Sequence, residues 1–296
     1  MSAPEQIGPF EPAADVVPFG RVPIPNTPAD FTERLRRAIA ENFASNAQYL
    51  DRVLIDVALA GPDVERLDIT LTSVRVPLID TDEGDAPGMT SVQDVALRTP
   101  ALLNHLRVNA RPVVIEGVDV LLEVELHGLR FAWIETHAGE LALEFTEPSA
   151  EAPVHGFINI RAHRSAVVEA LREVLEGALG ELGVTLKELD IELESIDART
   201  VRVRGFAKLR KGLLSASATI AGVATLSNDL QFRLSEVSAT SKNPVIAAIL
   251  LGLRKKVKSV EDESYDLAKD LPAGVRIADV QVNIGDEIAV AVLLEP

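Results

Sequence analysis

Apolar positions in this chain recur at two different spacings, and the switches between them mark out its elements. Phe31, Leu35, Ala38, Ile39 and Phe43 fall on one helical face behind Asn26-Thr27-Pro28, a cap followed by proline at a first-turn position, and predict a helix over about 28–48. Beyond it the spacing becomes two, the mark of a strand with one dry and one wet face. Leu67, Ile69 and Leu71 alternate with Asp68, Thr70 and Thr72, and the phase slips at Ser73 before Val74, Val76 and Leu78, as a bulge would produce. Alternation returns at Val118, Val120, Leu122, Val124 and Leu126, and again at Leu141, Leu143 and Phe145, which predicts long antiparallel strands.

A second helix is predicted from the stripe Val167, Val168, Leu171, Val174, Leu175, Ala178, Leu179 and Leu182, with Ser165 as cap and Gly183 as stop. Strands are expected at 189–193, 201–203, 213–223 and 230–234. A third helix is expected to start at Asn243-Pro244 and to run to about Asp270, where Leu271-Pro272-Ala273-Gly274 ends it. Two closing strands, 275–284 and 288–294, flank a turn at Gly285-Asp286. This order of helix, strands, helix, strands predicts an α+β fold. It divides the chain into a lead segment over 1–25, an N-terminal helix-plus-strand unit over 26–161 and a C-terminal helix-strands-helix-hairpin unit over 162–296. The lead carries Pro4, Pro9, Pro12, Pro18, Pro23 and Pro25 and is expected to drape over the surface without regular structure. Residues 66–74 and 188–196 share a pattern and several identities, which fits an internal duplication and equally fits two amphipathic strands.

Composition narrows the function. Hydrophobic residues make up 47% of the 296 residues but aromatics only 4%, so the interior is aliphatic, a surrounding suited to acyl chains. A formal net charge of −16 repels polyphosphates, and nucleic acid is set aside as a partner. With no cysteine there is neither a disulfide nor a thiolate metal site, which fits a reducing compartment. The first residues lack a basic stretch followed by an apolar one, so a cytoplasmic location is expected. The longest apolar run, Val245 to Leu251, is far short of the ~20 residues a spanning helix needs.

No local motif positions a nucleophile, a phosphate or a zinc ion, and no catalytic residue or cofactor is assigned. His105, His127, His137, His155 and His163 have no ligand spacing along a helix and are read as surface or hydrogen-bonded groups. The acidic run Asp80 to Asp85 departs from a calcium loop in its glycine position and lacks a closing glutamate, so it is read as a solvated loop. The helix expected after Pro244 is apolar all round for two turns and then turns basic, which fits either a buried helix or an apolar tip with cations at headgroup level. Arg202, Arg204, Lys208 and Arg210 share one face of a strand, a local inversion of charge that suits an anionic headgroup or an acidic partner.

The stretch Asp270-Leu271-Pro272-Ala273-Gly274-Val275-Arg276-Ile277-Ala278-Asp279-Val280-Gln281-Val282, after a long helix and before a closing hairpin, resembles the end of the LmeA-like phospholipid-binding family of bacteria, part of the tubular lipid-binding (TULIP) superfamily. That resemblance implies long curved antiparallel strands wrapped around long helices, with an elongated apolar cavity. The expected function is non-catalytic binding or transfer of a lipid or other apolar ligand, with peripheral membrane contact; the alternative is a structural or adaptor protein with a filled core that docks a protein partner. Val167, Leu171, Leu175, Val245, Ile246, Ile249, Leu250 and Leu253 are the expected cavity lining. Arg202, Arg204, Lys208, Arg210, Arg254, Lys255, Lys256 and Lys258 are the expected headgroup or partner contacts.

Overall fold

The period-two stretches build almost everything that is seen. The computed structural model of the chain describes residues 16–43, 50–76, 94–115, 117–181, 183–211, 214–241, 243, 264–266 and 274–295. Among them are fifteen strands and two α-helices, α1 (Pro28–Phe43) and α2 (Arg164–Glu181). The ten-stranded sheet has the order β14 (Arg276–Ile284), β15 (Glu287–Glu295), β8 (His155–His163), β6 (Val118–Thr136), β5 (Val95–Ile115), β3 (Asp63–Leu71) and β2 (Leu54–Ala60). Off this path β4 (Val74–Val76) pairs with β5, and β7 (Glu140–Phe145) bridges β6 to β1 (Val16–Arg21). Every pairing in it is antiparallel except those of β3 and β4 with β5. The second sheet has five strands in the order β13 (Ser264–Asp266), β12 (Gln231–Ser241), β11 (Leu214–Leu226), β10 (Thr200–Lys211) and β9 (Thr185–Asp197).

This overturns the expected α+β architecture of strands wrapped around long helices: the described chain is sheet-dominated, and its two helices are short. The third helix is corrected where it can be seen, because Ser264–Asp266 pairs with β12 as a strand. The remainder of that predicted helix, at 244–263 and 267–270, and the acidic run at 80–85 lie outside the described residues. The lead is also corrected over its last part. Val16–Arg21 forms a strand against β7, and Val16 and Phe19 are buried.

The main core forms where α1 and β1 close over one end of the large sheet. Phe19, Phe31, Phe131 and Trp133 pack ring on ring, with centroids 5.1 Å apart for Phe19 and Phe31 and 5.3 Å for Phe19 and Trp133. The indole N–H donates to the Pro62 carbonyl at 2.8 Å, which satisfies the one polar atom of that ring. On β5 and β6 the apolar parity changes across the Asn104–Gly128 step: Leu103 and Leu129 pack in the core on one side, and Leu106, paired with Leu126, packs against it on the other. Gly128 sits at φ +81°, where a side chain would also meet the Pro153 carbonyl. Leu106 and Ile69 still pack against the core cluster, so the dry surface of the sheet continues out of the core.

The two sheets meet at the turn between β9 and β10. Arg199 bonds to Asp279 of β14 at 2.5 Å and to Asn228 Oδ1 at 2.8 Å, and the Val282 amide donates to the Ala198 carbonyl at 2.7 Å. The closing hairpin β14–β15, with its turn at Gly285-Asp286 as expected, belongs to the large sheet through β8. The sheet boundary therefore does not follow the sequence boundary at 161/162. No helix among the described residues is long and apolar enough to cross a membrane.

Candidate functional site

Register across the large sheet turns isolated aliphatic positions into a wall. Ile69, Val108, Val124, Ile158, Val292 and Val280 are consecutive partners across β3, β5, β6, β8, β15 and β14. Two residues along, Leu71, Ala110, Leu122, Ile160, Val290 and Val282 repeat the arrangement, and a third row runs through Leu67, Leu106, Leu126, Gly156, Leu294 and Ile277. Side chains of paired residues share a face, so these rows make one dry surface six strands wide. Leu67, Ala110, Val280 and Leu294 are buried. Val108, Leu122, Val124, Ile158, Val282, Val290 and Val292 remain half-buried, and Ile160 is 40% exposed.

The intervening positions are mostly polar, with the apolar Leu121, Phe157, Ala289, Ala291 and Leu293 among them. Thr70, Asn109, Glu123, Asn159, Ala291 and Gln281 form the neighbouring row, with Arg161 and Asn283 beyond it. They border an open groove of about 370 Å³ lined by Asn109, Arg111, Glu123, Asn159 and Arg161 among others. The groove continues past Gln281 and Asn283.

Further along this polar side three histidines stand in register, His105 on β5, His127 on β6 and His155 on β8. Their rings stack, with centroids 4.6 Å apart for His105 and His127 and 5.0 Å for His127 and His155. Glu125 reaches between them, its Oε1 3.2 Å from His127 Nε2 and 3.7 Å from His105 Nε2. Ligand atoms of His105, Glu125 and His127 all lie within 4.8 Å of one another. His105 Nε2 and Arg107 Nε are cut off from solvent without a hydrogen-bond partner. Arg107 Nη2 donates to Glu123 at 3.3 Å. Along the sequence these histidines stand singly. They sit on three different strands, and only the register gathers them.

The expected site residues are dispersed. Val167, Leu171 and Leu175 lie on α2, where Leu171 and Leu175 are 42% and 39% exposed, and they do not line the grooves on the polar side. Val245, Ile246, Ile249, Leu250, Leu253, Arg254, Lys255, Lys256 and Lys258 lie outside the described residues. Arg202, Arg204, Lys208 and Arg210 do share a face of β10, but the acidic face of β9 runs beside them. Arg202 pairs with Glu194 at 3.0 Å and Lys208 with Glu188 at 2.5 Å, and Arg204 stands opposite Glu192. The local inversion of charge is thus largely neutralised by the adjacent strand. Compared with known proteins, the chain matches no family model, no curated protein and no solved structure.

Proposed function

We propose that the chain binds an apolar ligand with an acyl chain along the dry face of the large sheet, without catalysing a reaction on it. The observation that carries this reading is the aliphatic wall centred on Val124 and Ile158, which continues out of the core yet stays half-exposed. Contiguous apolar surface of this kind on a folded chain marks an interaction site. The wall is built of Val, Ile, Leu and Ala with one Gly and no polar side chain at its centre, so it offers desolvation and little else, which suits a hydrocarbon better than a partner with hydrogen bonds to satisfy. At ~0.8 kcal/mol per buried methylene, an acyl chain of about fourteen gains roughly 11 kcal/mol. Association costs at least ~4 kcal/mol of it, leaving an affinity no tighter than about 10 µM and a broad tolerance of chain length. From the LmeA-like resemblance this reading keeps the ligand class alone.

The test is the emission of 1-N-phenylnaphthylamine mixed with the protein and then displaced by palmitate. Wild type should enhance emission and lose it on displacement, and Val124→Asp or Ile158→Asp should abolish the enhancement while Asn159→Asp retains it. Equal enhancement in all three variants would refute the assignment. The packed cluster around Trp133 favours the other reading, a structural or adaptor protein, at that end of the molecule. A stoichiometric copurifying protein with no displaceable probe would establish it.

A further inference from the structure

On the polar side, away from the aliphatic wall, we infer that His105, Glu125 and His127 form a binding site for a divalent transition-metal ion of the zinc class. Two imidazoles and a carboxylate are a ligand set that zinc takes readily, while calcium and magnesium prefer oxygen alone. The spacing fits as well. Ligand atoms held ~2.1 Å from a tetrahedral ion lie about 3.4 Å from one another. The two histidine-to-Glu125 separations of 3.2 and 3.7 Å straddle that value.

The backbone already does the positioning. His105 and His127 are directly paired across β5 and β6, and Glu125 lies two residues from His127 on the same side. The stacked rings of His105 and His127 lie 10° from parallel, so closing all three groups on one ion requires those two rings to turn out of the stack. His155 stacks on the far side of His127, its ring within 12° of parallel. Arg107, opposite Glu125, is engaged by Glu123, which leaves the Glu125 carboxylate to the histidines. The solvent-shielded and unbonded Nε2 of His105 is the second sign of a missing partner, since a desolvated ring nitrogen with nothing to bond is uncommon in a folded protein. The three side chains are each about 30% exposed, and a fourth ligand would be supplied by water or by an oxygen of a bound molecule.

Zinc titrated into chelator-stripped full-length protein, in competition with a chromophoric chelator, should bind one ion per chain, and cobalt should give the visible bands of a tetrahedral site. Loss of an outer partner typically lowers metal affinity 10–100-fold, so loss of a ligand in His105→Ala or His127→Ala should lower it about 100-fold or more. His163→Ala, at the exposed end of β8, should bind as wild type. In the unaltered protein, zinc should protect His105 and His127 from diethyl pyrocarbonate while His137 and His163 continue to react. Absence of one-to-one binding, affinity unchanged in His105→Ala and His127→Ala, or no protection of those two rings would overturn the assignment.

Discussion

Replacing Phe19 by alanine tests whether the chain before α1 is a structural strand. Its ring is 1% exposed and wedged between Phe31 and Trp133, at centroid distances of 5.1 and 5.3 Å. A buried Phe→Ala substitution costs about 3–5 kcal/mol, because the transfer term and the cavity add and a neighbourhood of rigid rings collapses poorly. The two ring contacts fall inside that range and are not added to it. Trp133 is the single tryptophan of the chain, so its emission reports on this core alone even if the five-stranded sheet unfolds separately. Urea unfolding followed by that emission should show a midpoint lowered in keeping with about 3 kcal/mol or more, and native emission shifted to longer wavelength as water reaches the indole. A loss below about 1 kcal/mol with unshifted emission would mean that β1 does not close the core, and the argument for it would fail.

Gly156 sits at φ +147° where β8 crosses β6, and a Cβ there would lie 1.9 Å from the Glu125 carbonyl oxygen. Gly156→Ala should therefore destabilise the sheet by roughly 3 kcal/mol or more in thermal melts and should weaken zinc binding through the displaced backbone of Glu125. Stability and zinc affinity both equal to wild type would contradict this. The Asp279 carboxyl is held below its ordinary value of 3.8, first by the hydrogen bond from Arg199 and then by that from Gln281. A depressed carboxylate stabilises the fold above its unfolded value and loses that contribution as pH falls through the folded one. Arg199→Ala should thus be less stable than wild type at about pH 6, with the gap shrinking below about pH 3.8, and a gap independent of pH would count against the pair.

What the sequence shows of this fold depends on whether neighbouring residues or distant ones decide it. The α2 stripe and the alternation from Val118 to Leu126 are local, and both elements are present. The full length of β6 is hidden because its apolar parity changes at Gly128, so the pattern breaks although the strand continues to Thr136. β5 was hidden twice, by the same change near Asn104 and by Pro100 and Pro112. Pro112 falls in a register shift between Ala110 and Val113, where a missing amide donor costs no ladder bond. The lead hid a strand behind its prolines, although Val16 and Phe19 supplied the apolar anchors. Of the site, the aliphatic positions were visible but their assembly was not, since β3, β14 and β15 reach β5 and β8 from distant parts of the chain. The histidine row needed the same long-range register. The neutralisation of the basic stripe, by contrast, was readable: Glu188, Glu192 and Glu194 precede Arg202, Arg204 and Lys208 across a short turn, the pattern of a hairpin with opposed charges.

Photo-crosslinking from adjacent positions tells the two faces of the sheet apart, because one residue along a strand is a change of face. With p-benzoylphenylalanine placed singly at Val124, Ile158, Glu123 or Asn159 and irradiated in the presence of palmitate, a ligand on the dry face should give palmitate adducts at Val124 and Ile158 and none at Glu123 or Asn159. Adducts at the polar pair instead, or equally at all four, would contradict that placement.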